Sequence, residues 1–122
     1  MSAFLRETIG SFKNAIFGIS HLILAERHAK VHLICSGAVT GLGIAASISA
    51  VEWCLVFLAM GIVWATEAVN TAIERIVDLC RPEFDSVAGQ AKDLAAGAVL
   101  LAALAAAAVG MIVFIPRIAA FL

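Results

Sequence analysis

Apolar and polar positions divide the chain into four parts. From Ile9 to Ala25, Ile9, Phe12, Ile16, Ile19 and Ile23 recur at helical spacing, while Lys13, Asn14, Ser20 and His21 lie elsewhere on the wheel. With Arg6, Lys13, Arg27 and Lys30 around it, this stretch predicts an amphipathic helix in a membrane interface, over about residues 5–27. Glu26 to His32 is a polar hinge. Within it Glu26 and Lys30 are four apart, the spacing of a helical ion pair. His28 and His32 are also four apart, but no third ligand follows at metal-site spacing.

Val31 to about Ala50 is apolar and close to the roughly 20 residues that a bilayer core requires. It contains Gly37-Ala38-Val39-Thr40-Gly41, a pattern that lets two helices approach closely. The connection Ser47–Glu52 carries no Lys or Arg, and Trp53 stands where an interfacial aromatic is expected. A second span runs from Trp53 to about Ile73, and its helix continues to Asp78. Arg81-Pro82-Glu83 stops it, because proline lacks the amide hydrogen a helix needs. A new helix begins near Ala88 to Lys92, and an alanine-rich third span covers about 94–115. Its small side chains predict close packing as an inner helix, ended by Pro116 and Arg117.

Composition agrees. Of 122 residues, 63% are hydrophobic and 14% charged, and the mean hydropathy is strongly positive. An ordinary soluble domain is excluded. The expectation is one all-α integral membrane domain over 1–122, with three transmembrane helices behind an interfacial helix. Nothing resembles a cleavable secretory signal. A net charge of −1 gives no basic face for nucleic acid. Cys35, Cys54 and Cys80 form no CxxC; the first two read as packing residues. Lys and Arg set the topology: Arg6, Lys13, Arg27 and Lys30 precede the first span, Arg75, Arg81 and Lys92 lie between the second and third, and Arg117 follows the last. The amino terminus and the second connecting loop are therefore expected on the cytoplasmic side.

The chemistry concentrates where the second span turns acidic, in Glu67-Ala68-Val69-Asn70-Thr71-Ala72-Ile73-Glu74-Arg75-Ile76-Val77-Asp78. At 3.6 residues per turn, Glu67, Asn70, Thr71, Glu74 and Asp78 share one face, and Ala68, Val69, Ala72, Ile73, Ile76 and Val77 the other. Ionisable groups near lipid are costly, by about 2.5–3.5 kcal/mol at a span's centre. A bound hard cation with phosphates would compensate a row of carboxylates. Hydrogen-bonded helix packing and a proton path are the other readings. Their functional counterparts are a small proton-coupled transporter working through Glu67, and a non-catalytic helix assembly.

Several stretches together resemble a known family. Glu67 to Glu74, then Val77-Asp78, then Ala91-Lys92-Asp93, are similar to the signature of the small prokaryotic diacylglycerol and undecaprenol kinases. Ser11-Phe12-Lys13, Glu26-Arg27, Val51-Glu52-Trp53 and Pro82-Glu83 resemble the undecaprenol kinase branch more closely. The resemblance implies a three-span homotrimer in the bacterial cytoplasmic (inner) membrane. Its active sites would lie between subunits, on the cytoplasmic side, and would phosphorylate a membrane lipid alcohol with ATP and Mg²⁺. By motif position it implies Glu67 as general base, Glu26 and Glu74 as magnesium ligands, and Lys92 as the phosphate-neutralising cation with Asp93 beside it. Asn70 and Asp78 would support the site. By the same resemblance Asn14, Glu83, Phe84 and Asp85 would fall in the nucleotide pocket, and Glu67 and Ala96 would meet the lipid substrate. The family often has Tyr-His where Phe84-Asp85 stand, Tyr at Asn14, and in some diacylglycerol kinases Ser at Ala96. The first two departures bear on base and ribose recognition, and Ala96 favours the polyprenol branch. The chain has neither GxxxxGK[ST] nor a protein-kinase catalytic loop.

Overall fold

The computed structural model describes residues 2–120, which form four α-helices and, among the described residues, no strand. They are α1 (Ala3–Ala25), α2 (Arg27–Ala45), α3 (Ala50–Cys80) and α4 (Ser86–Ala119). Glu26 alone separates α1 from α2: its extended backbone (φ −93°, ψ 131°) breaks the helix at the hinge the sequence marks. Its amide still donates to Leu22 O, so the chain turns without leaving that donor unpaired.

α3 and α4 are long and apolar enough to cross a membrane, and the chain is a membrane protein. At 1.5 Å per residue their 31 and 34 residues reach about 46 and 51 Å, well beyond a hydrocarbon core of about 30 Å. α2 has 19 residues, about 28 Å, and carries Arg27, His28, Lys30 and His32 in its first turns. It ends at Ala45, short of the expected Ala50, because Ala46–Ser49 forms the turn into α3; Ser47 sits there at φ 49°.

Ser49 opens α3 with a reciprocal cap. Its hydroxyl accepts from Glu52 N, and the Glu52 carboxylate accepts from Ser49 N at 2.7 Å. Arg117, near the end of α4, donates to the same carboxylate. The sequence predicts that Pro116 ends α4, but the helix continues to Ala119 with Pro116 in its last turn, giving up the amide bond that residue 116 would make to Ile112 O. Ile48, Val56, Val113 and Phe114 pack together at this end, flanked by Trp53, Val39 and Met60.

The close approach on α2 is at Gly43, not at the Gly37–Gly41 pair. A Cβ at Gly43 would lie 2.7 Å from the Trp53 ring, whereas Gly37 and Gly41 have nothing within 4 Å in this chain. Cys35 and Cys54, expected to pack inside, are exposed in the single chain. So are Ile9, Phe12, Ile16 and Ile19 on α1, of which only Leu22 is buried. The interior is correspondingly thin, with α4 burying Ala95 and Ala102 along its alanine-rich length.

Candidate active site

Glu67, Asn70 and Thr71 are the buried polar residues of the described chain, all on one face of α3. Glu67 is 3% exposed. A carboxylate so far from water requires partners. α2 supplies two. His28 Nδ1 lies 4.0 Å from Glu67 Oε1, and His32 Nε2 lies 3.6 Å from Oε2. His28 is largely in solvent and His32 largely covered. The His32 ring meets Trp64 edge-on, with centroids 6.2 Å apart, and the Trp64 indole donates to Ser36 Oγ at 3.1 Å. Thus His32 and Ser36, one turn apart on α2, engage Trp64 and Glu67, nearly one turn apart on α3.

Further along α3, the Asn70 amide donates to Glu74 Oε1 at 3.2 Å. Asn70 Oδ1 is buried with no hydrogen-bond partner among the described residues. Glu26, at the α1–α2 break, accepts from Arg75 at 2.6 Å, so its cross-helix partner is on α3, not Lys30 along its own helix. Asp78 accepts from Lys92 Nζ at 2.8 Å. That hydrogen bond raises the Lys92 ammonium above its ordinary 10.5; partial desolvation opposes the rise, and the charges of Asp78 and Glu74 add to it. From Glu67 to Asp78 these contacts span about 16 Å of helix.

The expected nucleotide residues are gathered only in part. Glu83, Phe84, Asp85 and Lys92 line one cleft of about 200 Å³ together with Asp78, Arg81 and Pro82. Such a volume takes part of a nucleotide; small-molecule sites usually hold about 300–1,000 Å³. Asn14 on α1 and Asp93 on α4 are exposed and do not line it, nor do Glu26 and Glu74; Ala96, expected at the lipid, is also exposed and outside it. Asp85 has a structural duty as well, capping α4 by accepting from Val87 N and Ala88 N, each at 2.9 Å. Among the described residues no three His, Cys, Asp or Glu are grouped to hold a metal ion.

The partners of Glu67 are what sequence reasoning missed. His28, His32 and Ser36 recur every four residues, a polar stripe along one face of α2, which is the signal that was available. The carboxylate completing it comes from another helix. Arg75, read only as a topology marker, likewise acquires Glu26.

A sequence profile described as prokaryotic diacylglycerol kinase matches residues 13–114, from within α1 to the last turns of α4. The chain belongs to that family. It is 36% identical over 108 residues to the undecaprenol kinase of Bacillus subtilis, covering 88% of each chain. It is also 36% identical over 107 residues to a diacylglycerol kinase of Synechocystis, covering 87% of this chain and 61% of that protein. As a prokaryotic diacylglycerol kinase family member the chain is a kinase, with ATP as its phosphate donor. Every candidate residue from Asn14 to Ala96 lies inside the matched span.

Proposed function

We propose that this kinase transfers the γ-phosphate of ATP to the primary hydroxyl of a membrane lipid, undecaprenol in the first instance, at the acidic end of α3. Diacylglycerol is the alternative acceptor, suggested by the Synechocystis relative. The observation that carries the reading is Glu67: a buried carboxylate on a membrane helix, at the head of a row of acids that runs to Asp78. The identity and coverage shared with the undecaprenol kinase, and Ala96, support the polyprenol.

Phosphoryl transfer asks a protein for positioning and charge stabilisation more than for covalent chemistry. In this reading Glu67 accepts the hydroxyl proton as the lipid oxygen attacks the γ-phosphorus. Lys92 exchanges Asp78 for a phosphate oxygen, and the cleft of Glu83, Phe84 and Asp85 holds part of the nucleotide. Glu26 and Glu74 would hold Mg²⁺. The donor set suits a hard cation in being all oxygen, and the buried Asn70 Oδ1 beside Glu74 has no hydrogen-bond partner among the described residues. Bound there, Mg²⁺ would neutralise charge on the ATP phosphates. Glu26 must first release Arg75.

The same reading makes α2 a span as well, the first of three with α3 and α4, puts the amino terminus and the acids on the cytoplasmic side by the Lys and Arg distribution, and lays α1 in the interface. A homotrimer with sites between subunits is supported by the scattered candidates and the uncovered apolar faces of α1 and α2. The test is transfer of labelled γ-phosphate from ATP in mixed micelles, with undecaprenol and diacylglycerol side by side. Undecaprenol is expected to be the better substrate, and Glu67→Gln and Glu74→Gln are each expected to lose about 10²-fold or more. Full activity in both variants would remove the proposed roles.

A further inference from the structure

We propose that His32 is a positioning residue for Glu67: its Nε2–H holds Oε2 and leaves Oε1 to meet the acceptor hydroxyl. The inference rests on the reading of Glu67 as the base.

The terminal torsion of a glutamate is broad and roughly two-fold, so a buried carboxylate does not aim itself. A base must present one oxygen to one proton. His32 Nε2 stands 3.6 Å from Oε2, slightly beyond hydrogen-bond length. Such contacts are often long in unliganded sites and tighten when substrate is bound. The imidazole is itself fixed. Its ring packs against the edge of Trp64, whose indole is tied to Ser36 one turn further along α2, and Thr40 donates to the Ser36 carbonyl at 2.7 Å. The imidazole edge contact and the indole–hydroxyl bond together fix the rotation of α2 against α3 beside Glu67. Oε1 lies on the side of the solvent-exposed His28, at 4.0 Å. His32 also borders an apolar groove of about 400 Å³, so an apolar replacement has space and need not displace α2.

The experiment uses the purified full chain in micelles. In His32→Phe, kcat for lipid phosphorylation is expected to fall about 30-fold while KM for ATP stays within about twofold, the size of effect that a slightly misplaced group produces. His32→Gln, whose amide can donate from the same place, is expected to recover kcat to within about threefold of the unaltered protein. Nitrogen-15 histidine NMR of the unaltered protein is expected to show His32 protonated on Nε2, and that resonance is expected to move in Glu67→Gln. A His32→Phe protein with undiminished kcat overturns the proposal. So does a His32→Gln protein as slow as the Phe variant, or an Nδ1-protonated His32. A fully active Glu67→Gln sinks the base reading, whereas an Nε2 resonance indifferent to Glu67→Gln sinks this proposal alone. The NMR measurement needs no His32 variant, so misfolding of His32→Phe leaves the question decidable.

Discussion

Lys92 Nζ donates to Asp78 Oδ1 over 2.8 Å, joining the end of α3 to the start of α4 across the Arg81–Asp85 connection. Both groups are partly in water, at 37% and 66% side-chain exposure, so the pair adds little stability at neutral pH. It holds the Lys92 ammonium against Asp78, and both residues line the cleft.

The bond gives an alkaline signature. Asp78 raises the folded-state pKa of Lys92 above 10.5, so the folded protein binds its proton more tightly than the unfolded chain. The contribution is full below about 10.5 and is lost as pH rises through the raised value. Melting of the micelle-bound protein between pH 9 and 12 is expected to fall slightly more steeply for the unaltered chain than for Asp78→Asn. At neutral pH Asp78→Asn is expected to raise KM for ATP severalfold and to spare most of kcat.

Glu26 is paired with Arg75 in the single chain yet is a candidate metal ligand. Glu26→Gln is expected to raise the Mg²⁺ concentration for half-maximal activity by about tenfold, the low end of what loss of a supporting metal-site group costs. A magnesium titration at saturating lipid measures this. An unchanged half-saturation point would take Glu26 out of the metal set.

Asp85 both borders the cleft and caps α4, which carries Lys92 on its second turn. Asp85→Ala is expected to cost about 0.5–2 kcal/mol of stability and Asp85→Asn only a few tenths, since asparagine caps as well. KM for ATP is expected to rise with the loss of the cap and to recover in the Asn variant. A raised KM in Asp85→Asn at undiminished thermal stability would instead signal direct contact between the carboxylate and the nucleotide.

Gly43 leaves no room for a methyl group: the added carbon would meet the Trp53 ring at 2.7 Å and Ile48 Cδ1 at 3.1 Å. Gly43→Ala is expected to destabilise by about 1–3 kcal/mol, as overpacking of a fitted contact does. Gly41→Ala meets nothing within 4 Å and is expected to leave the melting midpoint of a single chain unchanged. Dissociation of the Gly41→Ala oligomer on size exclusion would show that this face of α2 serves a contact between copies.

Much of the site was written in the chain because a helix imposes its own period. The spacing of Glu67, Asn70, Thr71, Glu74 and Asp78 fixes a common face before any fold is known, and that face is where the buried polar residues lie. The break at Glu26 and the stop near Arg81 were likewise legible, the second from Pro82. The capping role of Asp85 was not, since a capping aspartate and a candidate ligand look alike in sequence.

By itself, then, the sequence determined the membrane class, the helical segments, the acidic face of α3 and, through its motifs, the kinase family. Helical periodicity and hydropathy are local properties, and they suffice for that. Only the tertiary structure decided that His32 rather than solvent stands over Glu67, that Arg75 takes Glu26, that Arg117 reaches Glu52, and that Gly43 rather than Gly37 or Gly41 is the point of closest approach. Those pairings depend on the rotation and register of one helix against another, which no single helix specifies and which side-chain packing and cross-helix bonds such as Trp64 to Ser36 fix.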